Sequence, residues 1–61
     1  MNDGWTPANE ARLAALEAQV ADRAPLTEYD QGALAALERG ADPAAAVRID
    51  ALRARAERVA E

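Results

Sequence analysis

Residues 24–43 read Ala-Pro-Leu-Thr-Glu-Tyr-Asp-Gln-Gly-Ala-Leu-Ala-Ala-Leu-Glu-Arg-Gly-Ala-Asp-Pro, a helical segment held between two breaks. Pro25 pushes Ala24 out of the α region, so any helix upstream must stop here. Thr27-Glu28-Tyr29-Asp30 is a short-armed capping box. The Thr hydroxyl can accept the N–H of Asp30, and the Asp carboxylate can accept the N–H of Thr27. Ala33, Leu34 and Leu37 then share one side of a helix over about 28–39. Gly40 follows Arg39 and is expected to take the left-handed conformation that ends a helix. Asp42 and Pro43 open the next helix, as N-cap and first-turn proline.

Working outward, Thr6-Pro7 repeats the opening signal. A first helix over about 7–23 carries Leu13, Leu16 and Val20 on one face. Residues 1–6 form a lead-in. The last helix spans about 43–60, and Ala45, Ile49, Leu52, Ala56 and Val59 step along it by 4, 3, 4 and 3. That is a coiled-coil-like seam of more than two heptads. The breaks at about 24–27 and 40–42 are short enough to make consecutive helices neighbours. The six β-branched residues never alternate, so no strand is expected. The chain reads as one small all-α domain over 1–61, either a small three-helix bundle or an open helical hairpin with a third arm.

Eighteen of the 61 residues are alanine, and only ten are Leu, Val or Ile. Helices are therefore well specified and the core is small. Domains of this size usually need a staple. Cysteine and histidine are both absent, which removes disulfides and the usual zinc sites. Association with a protein partner or with a second copy is the staple that remains. Leu13-Ala14-Ala15-Leu16-Glu17 recurs as Leu34-Ala35-Ala36-Leu37-Glu38. Two copies without a shared turn pattern read as coincidence in an alanine-rich helical text, since repeat arrays need at least about three units.

The chain has 11 acids and 7 bases, net −4, and every base is arginine. No basic footprint for nucleic acid is present, so direct nucleic-acid binding is not expected. No apolar run is long enough to span a membrane. Met1-Asn2-Asp3-Gly4 lacks the pattern of a signal peptide. The expected location is the cytoplasm, or a particle assembled inside the cell.

Ser, Cys, His and Lys are missing, and with them the standard nucleophiles, the neutral-pH base and Schiff-base chemistry. The two Thr hydroxyls sit where helix caps belong, and the three glycines are isolated rather than grouped in a phosphate loop. No enzymatic activity, metal or cofactor is expected.

Candidate binding residues lie mainly on the third helix. Ile49, Leu52, Ala56 and Val59 define one face, and Val47, Ala51 and Ala54 form a shallow second stripe beside Ala44. Either this helix contacts two neighbours, or its alanine-rich back is simply solvated. Arg48 and Arg55 flank the main seam seven residues apart, and Glu10, Glu17 and Asp22 of the first helix are candidate partners. Trp5 either anchors a partner or folds back over the end of the bundle. Tyr29 is expected to cap the edge of the core. The partner-binding set is therefore Trp5, Val47, Ile49, Ala51, Leu52, Ala54, Arg55 and Val59.

These features point to a small non-enzymatic subunit of a larger assembly, such as a minor structural or connector component of a phage or bacterial particle. The alternative is an acidic regulator or inhibitor whose carboxylates fill a basic groove of a nucleic-acid-processing protein. The acid excess of residues 1–41, seven acids against three arginines, motivates it.

Overall fold

A computed structural model describes residues 4–60 of the chain, with side chains described over 4–59. The sequence readings that involve Met1, Asn2, Asp3 and Glu61 lie outside the described residues. Three helices follow in order: α1 (Pro7–Ala21), α2 (Glu28–Gly40) and α3 (Pro43–Ala60). No strand occurs among the described residues. Each helix packs on the other two, so the arrangement is a three-helix bundle rather than an open hairpin with an arm.

The three openings follow from their capping side chains. Thr6 Oγ1 accepts the N–H of Asn9 at 3.2 Å, with Pro7 behind it. Thr27 and Asp30 exchange both bonds of the capping box, at 3.1 and 3.0 Å. Asp42 Oδ1 accepts the N–H of Ala45 at 2.8 Å. Each bond satisfies one of the amide donors that a helix start leaves without a partner.

The ends depart from expectation in two places. α1 stops at Ala21, two residues short of the expected 23. Its last carbonyls are closed by a Schellman turn: Ala24 N–H donates to Gln19 O at 3.0 Å and Arg23 N–H to Val20 O at 2.9 Å. The left-handed position of that turn is held by Arg23, at φ 64°. A side chain there costs roughly 1–2 kcal/mol relative to the usual right-handed backbone.

The second departure is Gly40. It is the last residue of α2 and its φ is not positive, so the left-handed cap expected there is absent. Ala41 leaves the helix in extended conformation, at φ −72° and ψ 135°. The glycine is needed for space instead. Its Cα and carbonyl lie against the backbone of Gly4, so a Cβ on Gly40 would collide with the Gly4 carbonyl oxygen.

The core is built from Leu13, Leu16 and Val20 of α1, Leu34 and Leu37 of α2, and Ala45, Ile49 and Leu52 of α3. Leu13 and Ile49 are fully enclosed. No polar or charged residue is buried with them. Trp5, Leu26, Ala41, Ala56 and Val59 pack around the cluster, half-buried. Apolar seams at helical spacing thus meet in one interior.

Candidate interaction surface

α3 has two unlike faces. Ala45, Ile49 and Leu52 turn inward. At about 100° per residue, Ala44, Val47, Ala51 and Ala54 fall on the opposite side, and all four are exposed. Val47 is 68% exposed, an unusual place for a β-branched apolar side chain. Asp50 and Glu57 border this stripe on one flank, with Arg48 and Arg55 on the other.

The expected partner-binding set therefore divides. Val47, Ala51, Ala54 and Arg55 lie on the outside. Ile49 and Leu52 do not: they are 0% and 2% exposed and serve the bundle's own interior. One face of a helix cannot both close this core and meet a partner. Val59 is half-buried against the core, near the end of α3.

Trp5 folds back on the bundle. Its ring packs against the core cluster, and its Nε1 donates to Glu10 Oε1 at 3.1 Å. The chain before the ring is fixed at Gly4. Asn9 Nδ2 donates to the Gly4 carbonyl at 2.9 Å, and Gly4 itself lies against Gly40.

Tyr29 is 80% exposed and does not cap the core, contrary to expectation. The core-facing slot in the first turn of α2 belongs to Asp30, whose carboxylate is engaged twice. It accepts from the Thr27 N–H and from Gln19 Nε2, the latter at 2.8 Å. Tyr29 precedes Asp30 by one residue, so its side chain points about 100° further round, into solvent.

The α1–α3 seam carries a row of charges. Arg48 Nη1 donates to Glu10 at 2.8 Å. Its Nε and Nη2 grip Glu17 at 3.2 and 2.7 Å, a bidentate pair. Arg53 Nη1 reaches Glu38 of α2 at 2.9 Å. Asp22 and Arg55, the other members of the expected pairing, form no ion pair among the described residues.

These contacts displace proton equilibria. The hydrogen bonds from Arg48, and then from Trp5, hold the Glu10 carboxyl below its ordinary range. Gln19 and the Thr27 backbone do the same for Asp30, and Arg53 for Glu38. A carboxyl with a lower pKa in the folded state binds fewer protons there than in the unfolded chain. Its contribution is present above the unfolded value and is lost as pH falls through the folded one. Stability against urea is therefore expected to fall as the pH drops below the ordinary values of 4.5 for Glu and 3.8 for Asp. Replacing Arg48 by glutamine should flatten the part of this fall that belongs to Glu10. A midpoint independent of pH between 6 and 3, checked by circular dichroism, would contradict the assignment (these pH limits being roughly where carboxylates titrate).

Two clefts open on the surface. One, of about 340 Å³, lies between α2 and α3 and is floored by Leu26, Leu34 and Ala56. The other, of about 540 Å³, lies between the ends of α1 and α3, where Arg23, Arg55 and Arg58 surround Val20 and Val59. The sequence reading had singled out Arg55 and Val59 but not their grouping with Arg23. A signal for it was present: continuing the spacing of Glu10 and Glu17 by seven reaches Ala24 rather than a third acid.

No group of metal-ligating side chains occurs among the described residues, and none of their helices is long and apolar enough to cross a membrane. No protein-family model matches the chain, and no curated protein or solved structure matches it either.

Proposed function

We propose that this chain is a non-enzymatic docking subunit that presents the outer face of α3 to a helix of a larger protein assembly. A minor structural or connector component of a phage or bacterial particle is the kind of role it would fill. One observation carries the reading: Val47 stands exposed in a row with Ala44, Ala51 and Ala54, opposite a face that already closes the core. Valine is a poorer helix former than alanine. In a solvated position it gains nothing to offset that, whereas beneath a partner helix it gains burial. The flanking alanines let another backbone approach closely, as small residues do in tightly packed helix pairs.

The rival reading, an acidic inhibitor, has less support. Of the acids in residues 1–41, Glu10, Glu17, Asp30 and Glu38 are already engaged within the bundle.

The test is a photo-crosslinking side chain placed at Ala51 in the cells that make the protein, with and without Val47→Gln. The expected result is one dominant adduct, lost in the Val47→Gln background while the helical signal is unchanged. Crosslinks no stronger than those from exposed Arg12, or unaffected by Val47→Gln, would overturn the reading.

A further inference from the structure

The charge row between α1 and α3 stops one rung early. The two helices run in the same direction, because α2 returns between them. Arg48 sits between Glu10 and Glu17, seven residues apart on α1. Seven residues are about 10.5 Å of helix. Arg55 lies that distance beyond Arg48, but α1 ends at Ala21, and residue 24, seven beyond Glu17, falls in the turn after it and is alanine. Arg58 and Arg23 converge on the same place, around Val20 and Val59. No carboxylate among the described residues pairs with any of the three arginines. Three of the seven bases of an acidic chain are thus gathered at one cleft with no ion-pair partner among the described residues.

Structural duty accounts for part of this only. A cation in the last turn of a helix is favoured by the helix dipole, which explains Arg58. The dipole's reach falls off within that turn, and Arg55 lies further back. Arg23 is the more telling residue. It is the only non-glycine among the described residues with a positive φ, in a turn position that glycine fills best. Backbone strain kept at one position beside a cleft is a recurrent mark of a binding function.

We infer that this cleft is a docking site for an acidic peptide segment of a protein partner. Carboxylates of the segment complete the broken charge row on Arg55, Arg58 and Arg23, and an apolar side chain between them covers Val20 and Val59. Arginine suits this because its planar fork pairs carboxylates in two-bond geometry. The inference rests on the reading of the chain as a docking subunit, but it uses a different surface from the Val47 stripe.

Poly-L-glutamate is the probe, titrated at low ionic strength against the intact chain, with a duplex DNA oligonucleotide as comparison. Binding is expected despite the net charge of −4, which opposes the approach of an anionic probe. Arg55→Gln and Arg58→Gln should each weaken it at least about fivefold, as for charge pairs at an interface. Arg39→Gln, an exposed arginine at the opposite end of the bundle, should leave it unchanged. Arg23→Gly should raise the melting temperature and still weaken binding, which a purely structural arginine would not do. Val47→Gln should not alter it, so loss of the α3-face reading and loss of this one are separable. No binding of polyglutamate, equal weakening by Arg39→Gln, or tighter binding of the DNA would each overturn the inference.

Discussion

Replacing Ile49 by alanine is expected to remove about half of the chain's stability. Ile49 is fully enclosed at the centre of α3, with the α1 and α2 leucines closing over it. Truncating a buried aliphatic side chain to alanine costs about 2–5 kcal/mol, through lost burial and the cavity left behind. A 61-residue domain has only about 3–9 kcal/mol in total, at roughly 0.05–0.15 per residue. Eight buried residues cannot absorb that loss by repacking. Val47→Ala on the same helix is the control, and should change stability by no more than about 0.5 kcal/mol. Urea titration followed by far-ultraviolet circular dichroism compares the two. Similar midpoints for Ile49→Ala and Val47→Ala would mean that the interior described here is not the one that holds the chain together.

Gly40→Ala is expected to destabilise, against the usual direction of such a change in a helix. Alanine is favoured over glycine by about 1 kcal/mol in a helix interior, and Gly32→Ala should gain roughly that. Gly32 has no atom near enough to touch an added Cβ. Gly40 faces the Gly4 carbonyl, and a Cβ on Gly4 would in turn lie only 2.6 Å from the Gly40 oxygen. Neither neighbour is a flexible side-chain tip that could swing aside. Overpacking of this kind costs about 1–3 kcal/mol. The lead-in must lift away, taking Trp5 off the core. The single tryptophan reports this directly, as a red-shifted emission in Gly40→Ala and none in Gly32→Ala. If Gly40→Ala stabilises as Gly32→Ala does, the lead-in is not seated against α2.

The pattern of agreement between sequence and structure follows the range of the interactions. Thr6, Thr27 and Asp42 were readable as caps because a cap is a bond between residues three apart. Leu13, Leu16, Val20, Leu34 and Leu37 were readable as core-facing because their period is that of the helix. Glu10 and Glu17 were among the candidate partners of Arg48 and Arg55, and the structure pairs both with Arg48 and leaves Asp22 out. What escaped reading depended on something distant. Gly40 looks like a cap until Gly4 is seen beside it, 36 residues away by the numbering. Tyr29 looks like core until Asp30 claims the inward slot to reach Gln19. Ile49 and Leu52 suit a partner's groove as well as the chain's own interior, and only the closing of α1 and α2 around them decides. The end of α1 moved because an arginine took a backbone position that sequence rules assign to glycine.

The same-direction pairing of α1 and α3 also sets the order in which the chain can become whole. Its bonds from Arg48 join residues 31 and 38 positions apart, the longest-range side-chain bonds described. Such contacts form only after both intervening turns have closed. During synthesis the leucines of α1 and α2 emerge and meet first, with one side of their seam still open to water. Ile49 and Leu52 arrive last and shut it. Without α3 the α1–α2 hairpin would keep that seam open to water, so α3 acts as its lid.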